Sequence, residues 1–272
     1  MLRTRIITAC VLVLGLALEL LELSYSGFAF TMSLIFVVAA WEWANMAGLS
    51  LPWQRVLYAG CFALLLAGLF YAGLLQQVHT LQMIFLGSLL GWLLALFAVY
   101  CYPRFNTWNR PWFLGLAGCW LLIPSWLGLL LMQPLVANSG LIWLVIAVIA
   151  TADIGAYFCG RRFGRRKLAL HVSPGKTWEG FWGGVAANVF LATVIAIYLD
   201  LQGMQFLGFI LAMVCVAAAS VLGDLFESMI KRERGIKDSS QLLPGHGGVL
   251  DRIDGWTAAV PLFALIYLLY GR

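Results

Sequence analysis

Residues 140–167 read GLIWLVIAVIATADIGAYFCGRRFGRRK. The stretch 140–159 holds a single charge, Asp153, and the residues that follow hold Arg161, Arg162, Arg165, Arg166 and Lys167. A helix crossing the hydrocarbon core of a bilayer needs about 20 apolar residues, and basic residues are retained at its cytoplasmic end. An apolar run that stops at a cluster of bases therefore reads as a membrane span with its inner flank. Outward from it the pattern recurs along the chain. Breaks at charges, prolines and polar clusters give nine candidate spans, at 6–23, 28–47, 55–75, 81–102, 112–132, 140–159, 182–199, 205–225 and 249–270.

Composition agrees with that reading. The 272 residues are 62% hydrophobic and 11% charged, whereas a soluble domain carries about 25% charged residues. Seventeen Lys/Arg and twelve Asp/Glu cannot coat a fold of this size in water. A soluble enzyme, a disordered chain and a nucleic-acid binder are excluded. The 12 Trp, 9 Tyr and 17 Phe suit membrane interfaces. The six cysteines form no C-x-x-C pair, so neither a disulfide framework nor a zinc site is indicated. The start, Met1-Leu-Arg-Thr-Arg5, is like that of a signal peptide, but Glu19 and Glu22 stand where a small-residue cleavage site is needed. The first span is expected to be retained.

With the N-terminus placed inside, sixteen of the seventeen basic residues fall on one side of the membrane and only Arg272 on the other. The opposite loops, 24–27, 76–80, 133–139 and 200–204, contain no Lys or Arg. The expected architecture is an all-α polytopic membrane protein of about nine transmembrane helices, N-terminus cytoplasmic and C-terminus outside. About five spans lie in residues 1–135. Residues 136–272 form a catalytic region with two cytoplasmic loops, 160–181 and 226–248.

A charge at the centre of a membrane helix costs roughly 2.5–3.5 kcal/mol on insertion scales, so one that persists marks a functional candidate. Glu19, Glu22 and Asp200 lie near outer ends, where they reach water. Glu42, in Trp-Glu-Trp-Ala-Asn, lies near the inner end of its span and either pairs with a loop arginine or faces a cavity. The remaining acids gather in the C-terminal half: Asp153, Glu179, Asp224, Glu227, Glu233, Asp238, Asp251 and Asp254. Glu227 and Ser228 share the helical face of Asp224 if that helix continues, and Asp251 and Asp254 project together from the first turn of the last span. Oxygen ligands so spaced suit Mg²⁺, which uses one or two carboxylates, waters and substrate phosphates. An intramembrane ion-pair network with Arg252 and Lys231 is the structural alternative.

Two glycine- and lysine-bearing stretches border these acids. The first is Ser173-Pro-Gly-Lys-Thr-Trp-Glu-Gly-Phe-Trp-Gly-Gly184. Its Gly-Lys-Thr is not a Walker A motif, because Leu170 occupies the position of the first glycine and no strand pattern precedes it. A turn entering a helix remains, where free N–H groups favour an anion and where Ser173 or Thr177 would equally serve as N-cap. The second is Pro244-Gly-His-Gly-Gly248, a hinge or a place of close backbone approach to a ligand. Cationic loops, glycine turns and carboxylates at helix ends are what phosphoryl or nucleotidyl transfer requires.

The stretch Ser228-Met-Ile-Lys-Arg232, four residues, then Lys237-Asp-Ser-Ser-Gln-Leu-Leu-Pro-Gly-His-Gly-Gly-Val-Leu-Asp251-Arg-Ile-Asp254 resembles the signature of the phosphatidate cytidylyltransferases. The Ser173–Gly184 stretch, Asp153-Ile-Gly-Ala-Tyr157 and Gly223-Asp-Leu-Phe-Glu-Ser228 match that family as well. The resemblance is strong over 150–256 and rests mainly on hydropathy before that. It implies transfer of CMP from CTP to phosphatidic acid, giving CDP-diacylglycerol and pyrophosphate, by a homodimeric enzyme of the bacterial inner membrane. Mg²⁺, with room for a second metal ion, would be held by Asp224 and Asp251. The resemblance also implies Lys237, His246 and Asp254 as catalytic groups. Substrate contacts would come from Ser173, Lys176, Thr177, Glu179, Ser228, Lys231, Arg232, Gly247, Gly248 and Arg252. A CTP-dependent lipid or polyprenol kinase and a membrane transporter are the rival classes. Asp224→Asn or Asp251→Asn is expected to abolish CMP transfer while leaving membrane insertion intact; near-normal turnover of purified Asp251→Asn protein would remove it from the site.

Overall fold

The computed structural model describes residues 14, 15, 17, 18, 20, 23–104, 110–133 and 140–271. Among them are eight long helices: α1 Tyr25–Met46, α2 Pro52–Tyr71, α3 Val78–Cys101, α4 Pro111–Met132, α5 Gly140–Phe163, α6 Trp178–Tyr198, α7 Gly203–Arg234 and α8 Leu250–Tyr270. Each is long and apolar enough to cross a membrane, so the chain is an integral membrane protein with a nearly all-α fold. The candidate span 6–23, with Glu19 and Glu22, falls largely outside the described residues.

Local chemistry sets the helix boundaries. The Ser24 hydroxyl accepts a hydrogen bond from the Gly27 N–H at 3.3 Å and starts α1. Pro52 and Pro111 stand at the first turns of α2 and α4, where a missing N–H costs nothing. Gly235, in the left-handed region at φ 72°, ends α7.

Helices α4 and α8 are the central pair, carrying buried Leu121, Leu122, Trp126, Ala259, Val260 and Phe263. They are joined by a hydrogen bond from the Ser125 hydroxyl to the Trp256 carbonyl at 2.9 Å. Helix α1 packs on α4 through Trp43, whose indole N–H donates to the Leu114 carbonyl at 2.6 Å. One contiguous core runs through all of these helices. With no hydrophobic drive between helices in lipid, close contact depends on small residues. The α5–α6 pair shows this: a Cβ on Gly155 would meet Ala187 and the Gly183 carbonyl at 2.8 Å, and one on Gly184 would meet the Ala152 carbonyl at 2.7 Å.

Two features differ from the sequence expectation. Helix α7 does not stop near residue 225 but runs 32 residues to Arg234. At 1.5 Å per residue it is about 48 Å long, longer than the roughly 30 Å hydrocarbon core. Its last turns therefore stand beyond the core and carry Lys231, Arg232 and Arg234 on helix rather than loop. The second feature is a short antiparallel hairpin, β1 Lys167–Ala169 with β2 Ser173–Thr177, in place of an unstructured loop after α5. A three-residue strand does precede Gly175-Lys-Thr, but it pairs antiparallel with the motif's own residues. A Walker arrangement remains excluded by Leu170.

Replacing Gly155 by leucine is expected to force α5 and α6 apart and cost about 1–3 kcal/mol, read as a lower unfolding temperature in detergent. Gly208→Leu, where an added Cβ meets nothing within 4 Å, should leave that temperature unchanged.

Candidate active site

The site is assembled where α1, α5, α7, α8, the hairpin and the 235–249 loop meet. Glu42 on α1 is fully buried and accepts four hydrogen bonds: from Ser239 Oγ at 3.1 Å, Ser240 Oγ at 2.5 Å, the Val249 N–H at 3.0 Å and the Leu250 N–H at 2.6 Å. A carboxylate at a helix N-terminus satisfies otherwise orphaned N–H donors and opposes the positive end of the helix dipole. Glu42 thus pins the start of α8 and the loop before it. It does not pair with Arg55, whose guanidinium instead donates to Asn45 Oδ1 at 2.7 Å.

In the first turn of α8, Asp251 is equally engaged. Its Oδ1 faces the Lys231 ammonium at 2.6 Å, and its Oδ2 accepts from the Gly248 N–H at 2.7 Å and the Ser239 N–H at 2.9 Å, and shares with Glu42 the single proton of the Ser239 hydroxyl, 2.9 Å away. These two acids explain the glycines. Gly247 lies at φ +81°, and a Cβ on it would press on Asp251 Oδ2; a Cβ on Gly248 would overlap Ser239 Oγ and Glu42 Oε1. The close backbone approach foreseen for a ligand is here made to two carboxylates of the chain itself.

Lys231 also pairs with Glu227 at 3.0 Å, one turn earlier on α7, and all three side chains are almost wholly shielded from solvent. Across α7, Lys176 of β2 meets Asp224 Oδ2 at 2.5 Å, while Asp224 Oδ1 accepts from Ser228 Oγ at 3.1 Å. Asp254 lies within Coulombic reach of Asp224, Lys176 and Lys231, and Asp153 of α5 within reach of Lys176, Asp224 and Arg252. The structure joins five carboxyl groups, Asp153, Asp224, Glu227, Asp251 and Asp254, with three cations, Lys176, Lys231 and Arg252.

Two cavities flank this cluster. The larger, about 690 Å³, lies in the 235–249 loop and is lined by Lys237, Asp238, Ser240, His246, Gly247 and Arg252, among others. His246 Nδ1 is shielded from solvent and has no hydrogen-bond partner there. The smaller, about 360 Å³, lies between α5, α6, α7 and the hairpin, with Asp153, Tyr157, Arg161, Lys176, Phe181 and Val221 on its walls.

The other predicted site residues take supporting positions. The Thr177 hydroxyl caps α6, accepting from the Gly180 N–H at 3.1 Å, and Ser173 opens β2. Glu179 accepts from the Arg165 and Arg166 N–H groups at 3.0 and 3.2 Å, holding the entry to the hairpin. Arg232 donates to the Val172 carbonyl at 3.2 Å and so ties α7 to the hairpin turn. Glu42 as a clamp, with Ser239 and Ser240 under it, was not legible beforehand. The signal present was an intramembrane acid between two tryptophans.

The model of the Cytidylyltransferase family matches residues 3–270. The chain belongs to this family. The phosphatidate cytidylyltransferase of Pseudomonas aeruginosa is 43% identical over 270 residues, 98% of this chain and 97% of that protein. The phosphatidate cytidylyltransferase of Haemophilus influenzae is 39% identical over 286 residues, 98% of this chain and 99% of its own. That of Staphylococcus epidermidis is 38% identical over 133 residues, 48% of this chain. Family membership makes the protein a nucleotidyltransferase and fits cationic groups gathered round two cavities.

Glu42→Ala would leave two buried N–H donors unpaired, at about 1–3 kcal/mol each. The expected result is a lowered unfolding temperature in detergent together with a large loss of nucleotidyl transfer. Unchanged melting and turnover would rule out the clamp.

Proposed function

We propose that the protein transfers CMP from CTP to phosphatidic acid, yielding CDP-diacylglycerol and pyrophosphate, at the cytoplasmic face of a bacterial inner membrane and as a homodimer. One observation carries the reading. Lys176 borders one cavity and Arg252 the other, and both lie within Coulombic reach of the same carboxylate, Asp153. Two anionic substrates can be held on opposite sides of one charged cluster, with their phosphates meeting over it.

The larger cavity suits the nucleotide. Lys237 and Arg252 offer charge to a triphosphate, and His246 offers a ring nitrogen that has no hydrogen-bond partner among the described residues. In the reaction a phosphate oxygen of phosphatidate attacks the α-phosphorus of CTP. The new P–O bond forms as the bond to the β-phosphate oxygen breaks, and pyrophosphate departs with that oxygen. The attacking oxygen is already ionised near neutral pH, so no general base is required. The barrier lies in bringing two phosphate groups together, which positioned cations lower.

Mg²⁺ fits the residues present. Asp224 and Asp251 each already present an oxygen to a lysine ammonium, at 2.5 and 2.6 Å, and carboxyl groups outnumber cations in the cluster. Among the described residues no three acid, His or Cys side chains form a ready-made metal cage. Mg²⁺ does not need one, because it keeps waters and shares substrate phosphates. Asp224 and Asp251 would hold the ion, which when bound supplies charge neutralisation and polarisation of the reacting phosphoryl group. Lys176 and Lys231 occupy the two oxygens that the ion would take from them, while Ser228 fixes the second oxygen of Asp224 and the Gly248 and Ser239 N–H groups that of Asp251.

Incubation of the purified protein with CTP, Mg²⁺ and phosphatidate, followed by identification of the phosphorus product, tests the assignment. Pyrophosphate is expected. Release of CDP would instead make the protein a CTP-dependent lipid kinase.

A further inference from the structure

We propose that the smaller cavity, between α5, α6, α7 and the hairpin, seats the head group of an anionic phospholipid carrying a terminal phosphate, with Arg161 and Lys176 as its phosphate ligands. The assignment rests on the reaction proposed above and adds the place and residues of the acceptor.

Three observations lead there. The first is position. Helices α5 and α6 turn large apolar side chains outward beside the cavity: Ile154, Phe158, Trp182 and Phe190 are all more than half exposed. A face of this kind on a membrane-spanning pair lies against acyl chains. Tyr157, on the cavity wall, stands between Ile154 and Phe158 on the same helix, so the cavity adjoins the lipid-covered side of the bundle.

The second is the chemistry of the wall. Asp153, Tyr157 and Arg161 follow one another at four-residue intervals and form a single stripe along α5. Arg161 makes no ion pair among the described residues. Its Nη1 donates to the Tyr157 hydroxyl at 3.0 Å, which fixes the guanidinium and leaves its other N–H groups available. A planar guanidinium binds phosphate through two parallel hydrogen bonds. The tyrosine hydroxyl, acting as acceptor to Arg161, retains its own proton for donation. Beside this polar stripe, Ala156 of α5, Phe181 of α6 and Val221 of α7 give apolar walls suited to glycerol and the first methylenes of the chains. A free phosphate ion has no use for them.

The third is continuity with the reacting groups. Lys176 lines this cavity and at the same time holds Asp224. Asp153, on the inner part of the stripe, is within Coulombic reach of Lys176 and of Arg252, which borders the nucleotide cavity. A phosphate bound between Arg161 and Lys176 is thereby placed beside the same charged cluster that the nucleotide cavity borders through Arg252, where the two phosphates can meet.

The test separates the two substrates and the two claims. In mixed micelles with the full-length protein, Arg161→Gln is expected to raise the KM for phosphatidate about tenfold or more, with the KM for CTP unchanged. Arg161→Lys, which keeps the charge, should recover most of the loss, and Tyr157→Phe should show a smaller rise. An unchanged phosphatidate KM, or a shift in the CTP KM instead, would overturn the assignment. Equilibrium binding of a short-chain diacyl phosphatidate to detergent-solubilised protein needs no turnover and answers the same question if the wild-type protein fails to transfer CMP. Weakening by Arg161→Gln upholds the site, and equal binding removes it. Glycerol 3-phosphate, the same head group without chains, is expected not to compete; competition at equal concentration would make this a site for soluble phosphate esters and refute the lipid assignment.

Discussion

The ammonium of Lys231 lies 3.0 Å from Glu227 and 2.6 Å from Asp251, at a depth where all three side chains are nearly closed to solvent. Taking such groups out of water costs several kcal/mol per ion, and removing one partner of a buried pair costs about 3–5 kcal/mol. The pairing therefore fixes how α7 and α8 lie against each other: Asp251 must stand opposite Lys231, one turn beyond Glu227. The unusual length of α7 has the same origin, since the helix must continue past residue 225 to bring Lys231 and Glu227 onto one face. Gly223, where a Cβ would strike the Asp254 carbonyl, lets the two helices close to this distance.

Glu42 extends that constraint to the N-terminal helices. Its four hydrogen bonds fasten the loop and the first turn of α8 to α1, while Asp251 takes the Gly248 and Ser239 N–H groups on the other side. The glycine turn is thus gripped by two carboxylates, and its shape is prescribed before any ligand arrives. Between these acids the loop forms a wall of the larger cavity. Electrostatic preorganisation of this kind needs no rearrangement at the moment of reaction.

Much of the site was legible in the sequence because charge is scarce in it. Each acid or base within an apolar chain carries a cost and therefore information, and Asp224, Asp251, Asp254, Lys176, Lys231 and Arg252 do converge. Glu179 and Arg232, read as substrate contacts from resemblance, also brace the hairpin. Residue type does not distinguish a cation held by a backbone carbonyl from one open to a phosphate. Arg161 and Tyr157 showed the reverse: their four-residue spacing was visible, but only the packing of α6 and the hairpin against them encloses a cavity.

By itself the amino-acid sequence determined that the chain spans a membrane through long apolar helices. Hydropathy and charge act locally along the chain, and no partner is needed to read them. It also determined the family, since a long run of fixed polar positions is a linear property. The tertiary structure alone decided that Glu42 caps a helix more than 200 residues away, that Lys231 and Lys176 each take a separate aspartate, and that two cavities share one charged cluster. Hydrogen bonds and ion pairs act over about 3 Å, so which groups meet depends on how the helices cross and pack.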